Sequence, residues 1–346
     1  MQPHPVSAHR RIFTPLPFYV TMWRQRGSDM TKDKKIGYLL TIFGAVCWAF
    51  SGACGQYLFL TRSMTANMLV AIRLTAAGLL TVLYTLCRQK KDAVRIFRNR
   101  RHIRALLIFA IVGMALCQYA YFYGIELSNA ATATTLEYTG PALILIWLAV
   151  HDRRMPKKLE LLAVLLAMSG AYLLATHGDP SQLALSPKAL LWCLAGAFAC
   201  AVYTVQPREI IAEYGTLTIT GFGMLIGGLL MCAVFRPWRL TADWDLVTVA
   251  GLAFIVLFGT ICAVSCYLEG VHRIGPAKGS ILAAVEPVMS TVLSVFWLGV
   301  PLTIMDFTGI FLIIIAMTLL TGDDSGKKKR KIRIKLKFSV DSTPLW

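Results

Sequence analysis

An internal duplication constrains the fold of this chain more than any other feature of its sequence. Residues 269–289 (EGVHRIGPAKGSILAAVEPVM) align with residues 123–143 (YGIELSNAATATTLEYTGPAL) after a shift of 146 positions, for example from 124 to 270. The same ungapped frame pairs residues on both sides of these stretches. The matched pairs are Tyr121 with Tyr267, Gly124 with Gly270, Pro141 with Pro287 and Glu160 with Asp306. We therefore expect two halves of similar structure.

The composition indicates an all-α integral membrane protein. The 346 residues are 56% hydrophobic and only 15% charged, whereas a soluble domain has about a quarter of its residues charged. The apolar residues gather in ten runs, each long enough to cross a hydrocarbon core of about 30 Å as a helix. The predicted spans lie near 36–58, 67–87, 103–125, 130–150, 159–175, 188–205, 216–234, 246–268, 277–298 and 303–321.

The net charge of +17 follows from membrane topology rather than from nucleic-acid binding, which we exclude. Most Lys and Arg residues precede span one, follow span ten, or lie between spans two and three and between spans four and five. With ten spans, all four segments lie on the same side of the membrane. Because positive loops stay inside, we expect an inner-membrane protein with both termini in the cytoplasm.

Each half of the duplication holds five spans, an odd number, so the second half must cross the membrane in the opposite sense. The sequence therefore predicts two inverted five-helix repeats, 36–175 and 188–321, around a central cavity. Inverted repeats are typical of secondary transporters, with the substrate site near the midplane between the repeats. The predicted partner is a small-molecule substrate, and the sequence does not indicate an oligomeric state.

The two termini differ from the spans in composition. Residues 1–35 hold four prolines before position 18 and are predicted to be a disordered cytoplasmic extension. Because Met30 opens a stretch typical of a membrane-protein start, we expect residues 1–29 to be an unstructured extension or a start assigned too early. Residues 322–346 form a basic cytoplasmic tail whose polybasic stretch is predicted to lie on anionic lipid headgroups, or to be a solvated tail that only fixes topology.

The chain resembles the EamA family of the drug/metabolite transporter superfamily. The residues that carry the resemblance are GAVCWAFSG at 44–52, Arg73, YGIELSNAATATTLEYTGP at 123–141 and GPAKGSILAAVEPVMSTVLSVFWLG at 275–299. The resemblance covers residues 36 to 321. It implies ten helices around a central cavity and the movement of small metabolites, often the export of amino acids or related compounds.

Two glutamates inside predicted spans are candidates for substrate binding or proton coupling. A charged residue at the bilayer centre costs about 2.5–3.5 kcal/mol, so Glu137 and Glu286 need a reason to be there. In the aligned frame Glu137 matches Ala283 and Glu286 matches Gly140, and both carboxyls are expected to face the axis between the halves. They bind an amine or carry protons, or alternatively they only hold the packing through hydrogen bonds.

Two prolines follow these positions inside the predicted spans. Pro141 and Pro287 each remove a backbone hydrogen bond and free the carbonyl four residues earlier, on Glu137 and Ala283. One hypothesis is that each proline forms a hinge and exposes a carbonyl at the site. The alternative is a static kink that shapes the packing, and both roles are compatible.

Arg73 and a group of aromatic residues complete the candidate site. Arg73 lies within span two, where it is predicted to pair with a substrate carboxylate, with a glutamate of the protein or with lipid headgroups. Tyr119 and Tyr123 share a helix face by their spacing of four. The aromatic candidates for the cavity wall are Trp48, Tyr119, Tyr121, Tyr123, Tyr138, Tyr203 and Tyr267.

Cysteine spacing and missing motifs argue against a metal site or an enzyme. All nine cysteines lie in apolar runs without a CxxC pair, so we expect buried thiols, with no disulfide, metal or other cofactor. The chain has no HExxH or Walker motif and no histidine inside a predicted span. We therefore predict a transporter, not an enzyme. The alternatives are a membrane enzyme that acts on a lipid-linked substrate and a non-transporting scaffold.

Overall fold

The computed structural model describes residues 17–89, 93–128, 130–151, 153, 155–182, 186–298 and 303–319, which form helices and connecting turns without a strand. The longer helices are α1 (Pro17–Thr61), α2 (Ala66–Gln89), α3 (Arg100–Leu127), α4 (Ala130–Glu137), α5 (Gly140–Val150), α6 (Lys158–Thr176), α7 (Pro187–Val205), α8 (Arg208–Tyr214), α9 (Thr216–Phe235), α10 (Leu246–Ile274), α11 (Pro276–Leu282), α12 (Val285–Leu298) and α13 (Ile304–Leu319).

The helices have the length and composition of an integral membrane protein. Eight helical stretches in the described part of the chain are long and apolar enough to cross a membrane; the last is α10, and one, Ala133–Val150, comprises most of α4 together with α5. The ninth predicted span is broken into α11 and α12, and the tenth corresponds to the shorter apolar helix α13. The outward faces of the helices are apolar, since Leu60, Val150 and Leu191 are each more than two thirds exposed.

The N-terminal segment differs from the sequence prediction. Disorder was predicted for residues 1–35, whereas α1 begins at Pro17. Proline fits the first turn of a helix, where its missing N–H has no partner to lose, and no proline follows within α1 to interrupt the helix. Residues 1–16 and the predicted basic tail, 322–346, lie outside the described residues.

Each half contains one helix that is broken near the middle. In the first half the break lies at residues 138–139, between α4 and α5, and in the second half it lies at 283–284, between α11 and α12. Pro141 and Pro287 both fall in the first turn of the helix that follows the break. The prolines therefore start new helical segments, as a residue without an N–H does most easily, instead of kinking a continuous helix.

Two π-helical segments stand in matching places. Helix α3 contains one at Phe109–Leu116, and α10 contains one at Ile255–Cys262. Both ends differ by the shift found in the sequence, from 109 to 255 and from 116 to 262, which is 146 residues. Because π-helical turns are rare, this agreement extends the duplication from the sequence to the backbone.

Helices of the two halves cross at reciprocal contacts. A Cβ added to Gly78 on α2 would lie 2.2 Å from the backbone nitrogen of Leu225 on α9, and one added to Gly228 on α9 would lie 2.4 Å from the backbone nitrogen of Thr75. Residues 75 and 78 match 225 and 228 at a shift of 150 positions. Each helix therefore presents the same glycine to the same position of its partner, which brings the two backbones into contact.

A second pair of contacts also joins the halves. Helix α1 packs closely on the second part of α10, where Gly44 faces the backbone of Ala263 and Gly270 faces Thr41. Helix α7 packs in the same way on α3, where Gly124 faces Cys193. The first helix of each half thus lies against the third helix of the other.

Two hydrophobic cores enclose a space between them. The larger core joins α1, α2, α3, α7, α9 and α10. The smaller core joins α5, α6, α11 and α13 with Ala201 and Val205 of α7. Both helix breaks lie at the border between the cores, so the space between them is lined by residues from both halves.

Candidate functional site

A cavity lies between the two cores, and most of the predicted site residues line it. It is bordered by α1, α2, α3, α7 and α10 on one side and by both broken helices on the other. The predicted residues at its wall are Trp48, Arg73, Tyr121, Glu137, Tyr138, Pro141, Tyr203, Tyr267 and Glu286. The cavity therefore brings one cationic and two carboxyl side chains together inside an apolar helical bundle.

Arg73 is fully buried and only partly satisfied. Its Nε donates to the Thr260 hydroxyl at 3.0 Å, and its Nη2 donates to the Gly259 carbonyl at 3.2 Å. The guanidinium carbon lies 4.5 Å from the ring centre of Phe122, a cation–π contact. Its Nη1 has no hydrogen-bond partner among the described residues. One edge of the guanidinium is thus fixed, and one donor is left for a ligand.

The partners of Arg73 belong to the π-helical segment of α10. The Thr260 hydroxyl accepts from Arg73 and itself donates to the Ile255 carbonyl at 2.8 Å. The carbonyl of Gly259, the residue before Thr260, supplies the second acceptor. These bonds connect α2 of the first half to α10 of the second half. Arg73 is therefore held by the opposite half and forms no ion pair with either cavity glutamate within the described chain.

Glu286 is buried, with 6% of its surface exposed, in the first turn of α12. Its Oε1 accepts from the Tyr121 hydroxyl at 3.3 Å, and that hydroxyl also lies 3.2 Å from the Thr134 hydroxyl. The N-terminal end of a helix favours negative charge because its amide groups point toward it. The position of Glu286 therefore suits a carboxylate.

Glu137 has a different setting, although it faces the same cavity. It is the last residue of α4, and its Oε1 accepts a long hydrogen bond of 3.8 Å from the Cys117 thiol. The C-terminal end of a helix disfavours negative charge. Glu137 is close enough to Glu286 for the two carboxyls to interact electrostatically. The two acids are therefore neighbours with opposite helix-end environments.

The carbonyl that Pro287 was predicted to free has a partner from the other half. The Tyr138 hydroxyl donates to the Ala283 carbonyl at the second break. Tyr138 itself lies in the first break, between α4 and α5. The two breaks are thus tied to each other by a hydrogen bond, which supports their packing and holds both at the cavity wall.

An aromatic wall covers the side of the cavity formed by the larger core. The ring of Trp48 lies 4.9 Å from that of Tyr267 and 6.3 Å from that of Tyr203, and the two tyrosine rings stack at 5.8 Å. The Tyr267 hydroxyl contacts the Thr204 hydroxyl at 3.0 Å. The Tyr203 hydroxyl has no partner among the described residues. This wall is apolar over most of its area, with one buried hydroxyl still available.

Tyr119 and Tyr123 lie outside this cavity, in contrast to their place among the candidates. They share one face of α3, as their spacing predicted, and their rings stack at 5.2 Å. That face packs on Trp192 of α7, and Tyr119 also stacks on Phe235 of α9. Because α3 exposes Tyr121 to the cavity, residues two positions away point elsewhere.

The sequence did not single out two cysteines at the cavity wall. Cys117 of α3 and Cys200 of α7 both line it, and a carboxylate oxygen of Glu137 and the two sulfur atoms lie within 4.8 Å of one another. The expected absence of a metal site rested on local spacing. These donors come from three separate helices, so no local motif could have identified them.

Comparisons with known proteins agree with this architecture. The model of the EamA-like transporter family matches residues 35–176 and again residues 187–322. The uncharacterized inner membrane transporter YicL of Salmonella typhimurium (strain LT2) is 38% identical over 287 residues, which cover 83% of this chain and 95% of YicL. A crystal structure with 19% sequence identity superposes with a TM-score of 0.63 and covers 85% of this chain and 97% of its own, which supports the fold.

A relative of named activity is more distant. The threonine/homoserine exporter RhtA of Escherichia coli (strain K12) is 27% identical over 210 residues, covering 60% of this chain and 67% of RhtA. The two family matches, the inner-membrane relatives and the apolar helices together identify a multi-pass membrane protein. The resemblance seen in the sequence is thereby confirmed, and the chain belongs to the EamA-like transporter family.

Proposed function

We propose that this protein is a secondary transporter that exports amino acids or related zwitterionic metabolites across the inner membrane by alternating access. The observation that carries the proposal is the charge arrangement of the cavity. A buried arginine with a free donor and two carboxyls face the same space between the halves. An α-amino acid carries the complementary pair of charges.

The two ends of an amino acid require different partners. A substrate carboxylate would accept from Nη1 of Arg73, and a charge-assisted hydrogen bond of this kind is about twice as strong as a neutral one. A substrate ammonium would lie against Glu286 and Glu137, which have few protein donors to satisfy them. Charged groups inside a membrane protein usually mark a substrate or ion pathway. The carboxyls also provide groups that exchange protons, so coupling to a pH gradient and passive exchange both remain consistent with the site.

The proposed architecture comprises ten spans arranged as two inverted five-helix repeats, with both termini in the cytoplasm. Its support is the reciprocal packing of the halves, in which α2 crosses α9 at matched glycines. Reciprocal contacts of one surface with its own copy are what a two-fold axis produces. The distribution of Lys and Arg supports the orientation. In alternating access the two bundles rock around the cavity, and the two helix breaks are the proposed hinges.

The export of amino acids draws on the named relative as well as on the cavity. RhtA is described as a threonine/homoserine exporter, and its similarity to this chain spans part of both proteins. The aromatic wall of Trp48, Tyr203 and Tyr267 would contact the side chain of the substrate. The basic tail, in this proposal, rests on anionic lipid headgroups at the cytoplasmic face.

Counterflow in liposomes tests the proposal. Purified protein is reconstituted, the vesicles are preloaded with one amino acid, nucleoside or sugar at a time, and uptake of the labelled compound is measured with and without a pH gradient. We expect saturable exchange of amino acids and none of sugars or nucleosides. Glu286→Gln should lower the initial rate roughly 10- to 100-fold, the value of one charge-assisted hydrogen bond of about 1.5–3 kcal/mol.

The control variant is Glu209→Gln, because Glu209 is an exposed acid that pairs with Arg101 at the surface. It should exchange at the normal rate. Size-exclusion chromatography checks that every variant is monodisperse. If Glu286→Gln and Glu137→Gln both exchange amino acids normally, the proposed site is wrong, and if the unmodified protein exchanges no amino acid, the proposed function is wrong.

A further inference from the structure

Cys117, Cys200 and Glu137 form a cluster of potential metal ligands at the cavity wall. One sulfur from each cysteine and one carboxylate oxygen lie within 4.8 Å of one another. Cys117 is on α3, Cys200 on α7, and Glu137 ends α4. Both cysteines are free thiols. Two soft thiol donors and one carboxylate oxygen, from three helices, thus converge on one point.

The spacing of these atoms suits a tetrahedral divalent cation. Zinc binds thiolate sulfur at about 2.3 Å and carboxylate oxygen at about 2.0–2.2 Å, so two ligands of one tetrahedral ion stand roughly 3.8 Å apart. Closing the cluster onto an ion therefore requires movements of about 1 Å or less. All three residues line the cavity, which gives an ion a way in and leaves a fourth position for water.

We propose that Cys117, Cys200 and Glu137 bind a thiophilic divalent cation such as Zn²⁺ or Cd²⁺. Thiolates select such ions over Mg²⁺ and Ca²⁺, which prefer oxygen ligands. Binding releases the two thiol protons, and the resulting site of two thiolates, one carboxylate and the ion has one net negative charge. Arg73, whose charge acts on Cys117 at close range, balances that charge.

The bound ion has a consequence for transport that rests on the proposed function. It would join α3 of the first half to α7 of the second half, and the halves must move against each other in alternating access. It would also occupy Glu137, one of the two carboxyls proposed to hold the substrate ammonium. The ion therefore acts as an inhibitor that competes with the substrate.

Cadmium binding to the purified full-length protein tests the site without any transport assay. Cd²⁺ is titrated into the protein in detergent, and the ultraviolet charge-transfer absorbance between thiolate and cadmium is recorded. We expect one high-affinity equivalent per chain. Cys117→Ser and Cys200→Ser should each weaken that binding at least tenfold and reduce the absorbance, and Glu137→Gln should weaken binding while leaving the absorbance of the remaining complex.

The matched control is the double variant Cys262→Ser with Cys266→Ser. These two thiols lie one turn apart on α10, away from the cluster, and the control should bind Cd²⁺ as the unmodified protein does. If Cys117→Ser and Cys200→Ser keep the high-affinity equivalent, or if the control loses it, the proposed site is wrong. Monodispersity in size-exclusion chromatography confirms that the variants are folded.

A second measurement separates the metal site from the transport proposal. In counterflow, Cd²⁺ should inhibit the unmodified protein and the α10 control, and added amino acid should relieve the inhibition. Cys117→Ser should be at least tenfold less sensitive. Binding without inhibition would overturn the competition between ion and substrate but keep the site. Binding by a protein that exchanges no amino acid would overturn the proposed function and again keep the site.

Discussion

The broken helix of the first half carries its carboxyl before the break, on Glu137, whereas that of the second half carries it after the break, on Glu286. In the aligned frame the opposite positions are Ala283 and Gly140. Arg73 likewise has no charged counterpart, because a shift of 150 from 73 leads to Gly223. None of the three charged residues of the cavity thus has a charged counterpart in the other half.

The supporting structure is shared between the halves at closely similar shifts, 146 positions for the π-helical segments and 150 for the crossing glycines. The shared features are the π-helical segments, the helix breaks, the prolines that follow them, the crossing glycines of α2 and α9, and Tyr121 with Tyr267 at the cavity wall. A symmetric framework therefore surrounds an asymmetric cavity. An asymmetric cavity can hold a ligand with different ends in a defined orientation, as a zwitterion requires.

The largest expected effect tests the asymmetric part. Arg73→Lys keeps the positive charge but loses the planar guanidinium, which can donate to Gly259, to Thr260 and to a ligand at the same time. We expect amino-acid exchange to fall roughly 10- to 100-fold, while exchange of the corresponding amine without a carboxylate is unchanged. Initial rates of counterflow for the two compounds measure this.

Arg88→Lys, at the exposed end of the same helix, is the control and should behave as the unmodified protein. An equal loss for the amino acid and for the amine would mean that Arg73 supports the fold and does not bind the carboxylate. Thermal unfolding of Arg73→Lys distinguishes that outcome from a general loss of folded protein.

The second effect tests the shared framework at the crossing of α2 and α9. Gly78→Ala and Gly228→Ala each place a methyl group against the partner backbone, at 2.2 Å and 2.4 Å, and backbone cannot yield as a flexible side chain can. We expect each to destabilise the protein by about 1–3 kcal/mol, and by similar amounts. Gly140→Ala is the control, since its nearest contact would be 3.5 Å away. Thermal unfolding midpoints in detergent measure the losses. If only one of the two crossing variants unfolds at a lower temperature, the contacts are not reciprocal.

The third effect compares two acids that cap equivalent helices. Glu160 accepts from the Lys157 amide at 3.1 Å at the start of α6, and Asp306 accepts from the Thr303 amide at 2.7 Å at the start of α13. Asp306 also contacts His177 at 2.7 Å. We expect Glu160→Gln to cost about 1 kcal/mol and Asp306→Asn about 2 kcal/mol, because Asp306 loses more charged hydrogen bonds.

Thermal unfolding near pH 7 measures both losses. Glu209→Gln is the reference, because it neutralises an exposed acid that does not cap a helix. Equal losses at the two positions would show that the contact of Asp306 with His177 adds nothing to stability.

The smallest effect compares two N-caps at the same shift, Asn99 of α3 and Asp245 of α10. A hydrogen bond from the Thr248 amide at 2.8 Å lowers the pKa of Asp245 below its usual value. The stability that it contributes is therefore present above about pH 4 and is lost as the pH falls through the lowered pKa. Asp245→Asn should remove this part of the acid sensitivity, and Asn99→Asp should add a similar part to the first half.

Thermal unfolding midpoints recorded from about pH 6 to pH 3 report on this cap. The double swap, with both substitutions, should restore the pH dependence of the unmodified protein. If the unfolding midpoint of Asp245→Asn falls with pH as steeply as that of the unmodified protein, the cap does not titrate in this range.

The sequence predicted the features that follow from local pattern and from the duplication. Apolar runs located the helices, and the repeated frame led to Pro141 and Pro287 beside the helix breaks and to the two glutamates at the cavity wall. The features it missed depend on packing between distant helices. Helical spacing placed Tyr119 and Tyr123 on one face, but only the position of α7 decides that this face meets Trp192.

The same reason explains the remaining differences. Proline indicated a disturbed helix, but the sequence did not show that each helix is interrupted two to four residues earlier. No signal links Cys117 to Cys200, because their meeting depends on how α3 packs on α7. The sequence also could not predict the partner of Arg73. Gly259 and Thr260 contact it from a π-helical turn, which apolar periodicity does not reveal.

The paired π-helical segments also record the history of the chain. An i→i+5 turn closes around one residue more than an i→i+4 turn, so each segment amounts to a helix that has gained a residue. Two separate gains would have no reason to fall at equivalent places in two copies. We infer that the gain preceded the duplication, which copied it into both halves. In the present chain Arg73 bonds to the π-helical turn of one copy alone.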